Sequence, residues 1–215
     1  EVEAGVADFG VVPVENSTEG TINSTLDMFL TSPLKICGEV ELRICQHLMG
    51  QMKEIGQIKR VCSHPQSLAQ CRGWLAQSLP GIETVSVSSN AEAARRARDE
   101  DGTAAIAGDA AAEVYGLGIL FANIEDHADN TTRFLVIGRR LFPPSGEDKT
   151  SLLLSASGTE GPGVLHLLLD PLARNGITMT RIESRPSRRR KWDYGFFVDI
   201  GGHADDETVS EALRE

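Results

Sequence analysis

The 215-residue sequence is poor in the residue types that mark several common classes of protein. Aromatic residues make up 5% of it, and its four cysteines form no CxxC pair and lie beside no histidine at the spacing of zinc ligands. We therefore expect no metal site. We interpret the four thiols as buried or half-buried groups of a protein in the reducing cytoplasm.

Positive charge and long apolar runs are also scarce. The sequence contains 21 Lys and Arg residues and 31 Asp and Glu residues, which gives a formal net charge of -10 and a pI near 5.0. Such a surface repels phosphate backbones, so we expect no nucleic-acid partner. Segments such as 134–137 and 151–154 are the most apolar and are only as long as strands, so we expect no membrane partner either. The sequence begins without methionine, and we expect it to be a fragment.

The pattern along the chain predicts two domains. Strands and helices alternate over residues 1–142, which favours an α/β region with a largely parallel sheet. Residues 143–149 contain the proline, glycine and charge typical of a linker. Residues 150–215 then follow the order strand, helix, strand, strand, helix, which is one strand short of the ferredoxin-like βαββαβ fold.

Four polar clusters interrupt this pattern, and the first follows the first strand. Glu15, Asn16, Ser17 and Thr18 come after a short buried strand and before a helix predicted over residues 21–31. Backbone N–H groups at a helix start, with hydroxyls around them, suit a carboxylate ligand. An ordinary helix cap would contain the same residue types, so both interpretations stay open here.

The second cluster also joins a strand to a helix. Ser63 and His64 end a strand, and Gln70 lies in the helix that we predict after them. His64 would serve either as a general base or as a hydrogen-bonded structural group, and the pattern does not decide between them. Further along, we expect Asn90 to cap the helix over residues 91–99.

The third cluster, Asn130 to Phe134, enters a buried strand. Thr132 and Arg133 stand at the mouth of that strand, where open α/β folds collect their ligands. The arginine fork binds carboxylates, and a threonine hydroxyl can donate a proton where its surroundings stabilise the charge left behind. A polar pair that only begins the strand is the alternative.

The fourth cluster belongs to the second domain. Gly163, Val164 and Leu165 open a predicted helix, and Glu183, Ser184, Arg185 and Pro186 follow a predicted strand. Glycine at a helix start lets the backbone approach a ligand closely.

Taken in order, four segments resemble prephenate dehydratase followed by an ACT regulatory domain. They are GVVPVENSTEGTINSTLD, SHPQSLAQC, NTTRFLVIG and GPGVLHLLLDPLARNGITMTRIESRP. The resemblance implies a two-subdomain, periplasmic-binding-protein-like catalytic region, with residues 1–33 and 126–142 in the first subdomain and 34–125 in the second. It also implies that residues 150–215 are an α+β ferredoxin-like ACT domain without its last strand. The family's first strand and substrate loop are absent, so we expect a longer parent protein, one form of which would carry a chorismate mutase domain in front.

The resemblance also implies a reaction. Members of the family convert prephenate to phenylpyruvate with loss of carbon dioxide and water, and no cofactor or metal is implied. Thr132 matches the family's proton donor, and Arg133 matches the neighbour that would anchor a substrate carboxylate. The positions that match the lining of the substrate cleft are Glu15, Asn16, Ser17, Thr18, Ser63, Gln70, Thr131 and Phe134.

In the ACT domain the resemblance implies an effector site. Gly163, Val164 and Leu165 match one phenylalanine-binding motif, in which the family commonly has alanine at the second position, and residues 183–186 match the other. L-Phenylalanine would bind between subunits, so the expected partners are this effector, prephenate and a second copy in a homodimer or homotetramer. Two alternatives stay open: an arogenate dehydratase, and a non-catalytic amino-acid sensor or solute-binding module.

Overall fold

The computed structural model describes residues 1–155, 161–187 and 194–215. In this part of the chain the strands are Phe9–Asn16 (β1), Gly20–Thr21 (β2), Lys35–Arg43 (β3), His47–Gly50 (β4), Arg60–Ser63 (β5), Glu83–Ser86 (β6), Thr103–Ala107 (β7), Gly118–Phe121 (β8), Thr131–Gly138 (β9), Lys149–Ser155 (β10), Met179–Pro186 (β11) and Tyr194–Gly201 (β12). The helices are Asn23–Phe29 (α1), Pro65–Gln70 (α2), Arg72–Ser78 (α3), Asn90–Asp99 (α4), Asp109–Tyr115 (α5), Val164–Arg174 (α6) and Glu207–Ala212 (α7).

The chain divides into two compact units. Unit 1 contains Glu1–Glu15, Gly20–Val40 and Arg133–Glu215, and unit 2 contains Asn16–Glu19 and Glu41–Thr132. The boundaries differ from the expected ones at 33 and 126, because β3 is hydrogen-bonded into the same sheet as β1 and β9. Unit 1 therefore keeps the first half of β3, and it also includes the C-terminal ferredoxin-like region.

Unit 2 is built on a five-stranded sheet in the order β6-β5-β7-β4-β8. β5 runs parallel to β6 and β7, as the alternating pattern predicts, whereas β4 runs antiparallel to both of its neighbours. Small side chains let α4 pack closely on this sheet, since Ala93, Ala94 and Ala97 are all buried. The predicted cap of α4 was wrong: the Ser89 hydroxyl, and not Asn90, accepts the N–H of Glu92.

Unit 1 contains two sheets. The first has the order β2-β1-β9-β3, and its core contains Val14, Leu26 and Leu135 together with Phe197 of β12. The second is antiparallel in the order β10-β12-β11 and is packed against α6 and α7 through Leu172, Val209 and other apolar residues. The expected order of strand, helix, strand, strand, helix is confirmed in the described residues.

The elements together confirm the α/β class for the first region and the ferredoxin-like order for the second. None of the helices in the described parts of the chain is both long enough and apolar enough to cross a bilayer.

Candidate active site

Thr132 lies at the end of unit 2, where its hydroxyl is held by one hydrogen bond. The Asn16 amide Nδ2 donates to Thr132 Oγ1 over 2.8 Å, and both side chains are buried. The same amide donates its second proton to Asn130 Oδ1 over 2.7 Å. Since Asn16 has used its donors, the Thr132 oxygen acts here as an acceptor, and its own proton is left to donate elsewhere. Within the described residues, that proton reaches no protein acceptor.

The loop after β1 keeps Asn16 in this position. Asn16 Oδ1 accepts the backbone N–H groups of Thr18 and Glu19, at 2.9 and 3.0 Å. Ser17 is joined to Thr131 twice, because Ser17 N–H donates to the Thr131 carbonyl and Thr131 N–H donates to Ser17 Oγ. The structure thus brings together four residues that the sequence singled out: Asn16, Ser17, Thr131 and Thr132.

Gln70 joins the same group through Glu19. Its Nε2 donates to Glu19 Oε1, and its Oε1 accepts Gln46 Nε2, each over 3.2 Å. Gln46 is buried, so it fixes the orientation of the Gln70 amide from behind. Next to Gln70, burial and nearby carboxylates raise the pKa of the Cys71 thiol to about 12, which keeps it protonated and inert at neutral pH.

A depression of about 450 Å³ opens beside this group in unit 2. Its walls include Ser17, Thr18, His127 and Asp129. Asp126 also lines it, but its carboxylate already accepts the N–H groups at the start of α3. Ser17 uses its N–H toward the Thr131 carbonyl and its hydroxyl toward the Asp129 carbonyl, and the Thr18 N–H is bound by Asn16, so the Thr18 hydroxyl is the donor that this loop keeps for a ligand among the described residues.

Ser63 lies in a different setting. It has no exposed surface, and its hydroxyl contacts the Ile106 carbonyl at 2.7 Å and Asn90 Oδ1 at 3.0 Å. Asn90 also accepts the His64 N–H and bonds to Ser67, so it ties the end of β5 to α2. His64 Nδ1 accepts the Gln66 N–H as the cap of α2, which favours the structural interpretation of this histidine. A substrate contact for Ser63 stays a prediction.

Arg133 follows Thr132 directly but faces protein carboxylates. Its guanidinium lies 2.5 Å from Asp199 Oδ2, 2.7 Å from Glu39 Oε2 and 3.7 Å from Glu15 Oε2. The Glu39 oxygen is off the line of the Nε–H bond, so that buried N–H has ionic contact without a directed hydrogen bond. Burial alone would lower the pKa of Arg133, but the hydrogen bond with Asp199 and the surrounding negative charges raise it.

This arrangement separates two residues that the sequence pattern joined. Successive side chains of a strand point to opposite faces, so Thr132 and Arg133 cannot act on one ligand from the same side of β9. The role of Arg133 as anchor of a substrate carboxylate stays a prediction, and here its guanidinium is occupied by three carboxylates. Phe134 is half-buried on the same strand. Glu15 pairs with Arg181 at 3.3 Å, on the side of Arg133.

The expected effector motifs lie in the ferredoxin-like region. Gly163 precedes α6 with a positive φ of 84°, and a Cβ built there would meet no described atom within 4 Å, so the backbone is open to a close approach. Glu183 accepts the Thr21 hydroxyl, and the Arg185 guanidinium donates twice to Asp27 Oδ1 at 2.8 and 3.0 Å. Val164 and Leu165 begin α6, as expected, whereas Ser184 and Pro186 lie within β11 and not after it, because β11 stays paired with β12 as far as Pro186.

Sequence reasoning missed several of the residues that organise these sites. Asn130 and Gln46 are buried amides whose partners are 114 and 24 residues away, and Asn90 was taken for a helix cap. A signal existed for Asp199, because a carboxylate inside the apolar segment 196–200 requires a buried partner. Nothing in the sequence identified Arg133 as that partner.

These observations define a class of protein: an α/β region that contains a polar candidate site, followed by a C-terminal ferredoxin-like domain. Models of known families make the assignment specific. The prephenate dehydratase model matches residues 1–141, and the ACT domain model matches residues 153–215. The chain belongs to the prephenate dehydratase family, and the expected fold class is confirmed.

Known relatives agree with this assignment. A bifunctional chorismate mutase/prephenate dehydratase from Pseudomonas aeruginosa is 54% identical over 216 residues, which are 100% of this chain and 59% of that protein. A crystal structure of prephenate dehydratase from Arthrobacter aurescens in complex with L-Phe is 37% identical, with a TM-score of 0.88, over 99% of this chain and 71% of that one.

A third relative broadens the comparison. The structure of GqqA, described as a novel type of quorum quenching acylase, is 32% identical with a TM-score of 0.87, over 100% of this chain and 78% of that one. Proteins of this fold are thus described with more than one activity, so the reaction has to be argued from the residues.

Proposed function

We propose that the protein containing this chain is a prephenate dehydratase, which converts prephenate to phenylpyruvate with loss of carbon dioxide and water. The observation that carries the proposal is the hydrogen bond from Asn16 Nδ2 to Thr132 Oγ1. It places a buried hydroxyl with its proton free for an external acceptor. A sensor that only bound its ligand would need no such donor.

The reaction requires one proton donor beside the ring hydroxyl of the substrate. The C–O bond to the ring hydroxyl breaks as the carboxylate leaves as carbon dioxide, and the departing hydroxyl leaves as water if it receives a proton. Thr132 supplies that proton, and the Asn16 amide stabilises the oxygen on which negative charge develops. Formation of the aromatic ring drives the reaction forward, so the protein has to contribute chiefly position and this one transfer.

Substrate carboxylates require donors that the protein does not already use. In unit 2 the Thr18 hydroxyl and the second N–H of the Gln70 amide are such donors, and the Ser17 hydroxyl becomes one when it leaves the Asp129 carbonyl. We propose that these groups receive the dianionic substrate, since neutral N–H and O–H donors bind carboxylates without a charge of their own. Arg133 would join them only by leaving the three carboxylates that now surround it.

The proposal extends to regulation. The relative from Arthrobacter aurescens was crystallised with L-Phe, and this chain has the matching ACT domain. We propose that L-phenylalanine binds near Gly163 and residues 183–186 in a homo-oligomer and lowers activity by favouring a less active state. A cytoplasmic location fits this biosynthetic role.

The test is turnover by the full-length protein that contains this chain. We expect phenylpyruvate to form from prephenate at neutral pH, and added L-phenylalanine to suppress it. Arogenate and a generic N-acyl amide serve as alternative substrates in the same assay. Faster turnover of arogenate would make the protein an arogenate dehydratase, and amide hydrolysis without dehydration would replace the proposal with an acylase.

A further inference from the structure

Asp199 is a buried carboxylate in a strand that is otherwise apolar. It lies on β12 among Phe197, Val198 and Ile200, and only 5% of its surface is exposed. A buried carboxylate is costly unless it is paired and fully hydrogen-bonded. One oxygen of Asp199 accepts the Ser151 hydroxyl at 2.7 Å, and the other binds Arg133. A carboxylate of the ACT domain therefore contacts β9, the strand that also contains Thr132.

Arg133 is the centre of a larger group in unit 1, which we call the Arg133 cluster. Its members are Glu15, Glu39, Arg133, Lys149, Arg181 and Asp199. Arg181 lies 3.3 Å from Glu15, and Lys149 lies 2.6 Å from Glu39, so each carboxylate bound by Arg133 also has a second cation or a hydroxyl beside it. The cluster thus contains three positive and three negative charges. Three of these six charges come from the ACT region: Lys149 on β10, Arg181 on β11 and Asp199 on β12.

The cluster lies at the points where the chain leaves unit 1. The chain passes into unit 2 after Glu15 and after Val40, and it returns at Arg133. Glu15 is thus the last residue of unit 1 on β1. Glu39 is the next-to-last residue of unit 1 on β3, and Arg133 is the first on β9. A peptide bond joins Thr132 to Arg133, and another joins Asn16 to Glu15. A shift of the cluster therefore moves the backbone of both partners in the hydrogen bond that holds the proton donor.

We propose that Asp199 of the ACT domain is a positioning residue for the dehydration reaction, acting through Arg133 on the orientation of Thr132. This inference rests on the proposed function. It assigns the regulatory domain a part in catalysis that does not depend on bound effector. The carboxylate touches no substrate, so its loss should lower turnover and leave substrate binding nearly intact.

The experiment is a double-mutant cycle in the full-length protein, assayed with prephenate and without L-phenylalanine. We expect Asp199→Asn to lower kcat about 10- to 100-fold with little change in KM, as a misplaced catalytic group does. In a Thr132→Val background, the same change should cost no further activity, because the group that Asp199 positions has been removed. Asp199→Glu should recover part of the loss.

The matched control is Asp27→Asn. Asp27 of α1 is likewise bound to the ACT domain, through Arg185 of β11, and the substitution also removes one carboxylate from an ion pair. It should leave the basal kcat within about twofold of the wild type, because Arg133 and its three carboxylates are untouched. Thermal unfolding of each variant shows whether it is folded, and if Asp199→Asn is not, Glu39→Gln takes its place in the cycle.

The outcomes separate the two proposals. Wild-type kcat in Asp199→Asn would overturn the positioning role and leave the dehydratase proposal standing. So would an equal loss in the wild-type and Thr132→Val backgrounds, since a general structural defect is additive. Absence of prephenate turnover by the wild-type protein would instead overturn the proposed function, and the inference that rests on it.

Discussion

Two neighbouring residues of β9, Thr132 and Arg133, differ in the hydrogen-bond partners and the charges that surround their side chains. Thr132 is surrounded by uncharged amides, and its hydroxyl is held by one donor with its proton left free. Arg133 is surrounded by three carboxylates, and its charge is balanced by them. Thr132 is thus kept among uncharged groups with its proton unused, whereas the charge of Arg133 is balanced and its Nε–H has ionic contact with Glu39 without a directed hydrogen bond.

Removing the Thr132 hydroxyl is the most direct way to break the first half of this comparison. We expect Thr132→Val to lower kcat by about 10²- to 10⁴-fold, because a positioned proton donor contributes about this much. The shape of the side chain is kept, so the free energy of unfolding should change by less than about 1–2 kcal/mol. Thr132→Ser keeps a hydroxyl and is the control. Steady-state kinetics and urea unfolding measure both quantities, and a near-normal rate in the valine variant would remove Thr132 as the acid.

Arg133 should differ from Thr132 by affecting stability strongly, in addition to the loss of turnover that its link to Thr132 implies. Arg133→Met leaves the carboxylates of Glu15, Glu39 and Asp199 without their shared cation. We expect the free energy of unfolding to fall by about 3–5 kcal/mol, as it does when one partner of a buried ion pair is removed. Urea unfolding at neutral pH measures this loss. If Arg133→Met unfolds like the wild type, the cluster is not a stabilising unit.

Asn16 offers a test of the free proton itself. In Asn16→Asp the new carboxylate still accepts the N–H groups of Thr18 and Glu19, but it faces Thr132 as an acceptor. The threonine proton should then turn toward this carboxylate and away from substrate, which lowers kcat by about 10- to 100-fold. Asn16→Ala should lose the loop contacts as well, at about 1–3 kcal/mol of stability. Equal kcat in Asn16→Asp and the wild type would show that the direction of this hydrogen bond is unimportant.

Asn90, whose side chain bonds to the buried Ser63, should contribute more to the free energy of unfolding than the neighbouring helix cap Ser89. Asn90→Ala removes the partner of Ser63, His64 and Ser67 and should cost about 1–3 kcal/mol. Ser89→Ala removes the true cap of α4 and should cost about 1 kcal/mol. Thermal and urea unfolding of the two variants rank them. A larger loss in Ser89→Ala would mean that Asn90 is less important than its contacts indicate.

Cys71 gives the smallest expected effect, and a dependence on pH. Its pKa rises from 9.0 to about 12 in the folded protein, so the folded state holds this proton more firmly than the unfolded chain. Stability should therefore be lost as pH increases above 9, by about 1 kcal/mol at pH 10. Urea unfolding at pH 8 and pH 10 should show a smaller loss in Cys71→Ala than in the wild type. An identical loss would assign the dependence to other groups.

Much of the fold could be predicted from the sequence, because periodicity and turn residues carry local information. The strand–helix alternation and the order of the ACT elements were recovered in this way. β4 was missed because its four residues are all buried and show no alternation. The helix that we predicted after Ser63 and His64 is interrupted at Cys71, whose backbone leaves the helical region, and no local residue type indicates this break.

The roles of the candidate site residues stay predictions, and the structure shows how these residues are grouped. The motif around Thr132 singled out Thr131 and Thr132, which the structure brings together with Asn16, whereas it placed Arg133 beside Thr132 and alternation along β9 puts the two side chains on opposite faces. Its partners could not be found from one sequence, because Glu39 and Asp199 are brought to it only by pairing of distant strands. Asn130 was treated as loop, although its side chain is one of the two acceptors of the Asn16 amide.

The interleaved path of the chain has a consequence for synthesis on the ribosome. β1 pairs with β9, and Asn16 meets Thr132 across 116 residues, so the first sheet cannot form until nearly all of unit 2 has been made. While the residues of unit 2 are being made, β1 lacks its partner β9, and apolar residues such as Val12 and Val14 stay uncovered. The group of residues around Thr132 is therefore completed late, and β1 benefits from protection until β9 has been made.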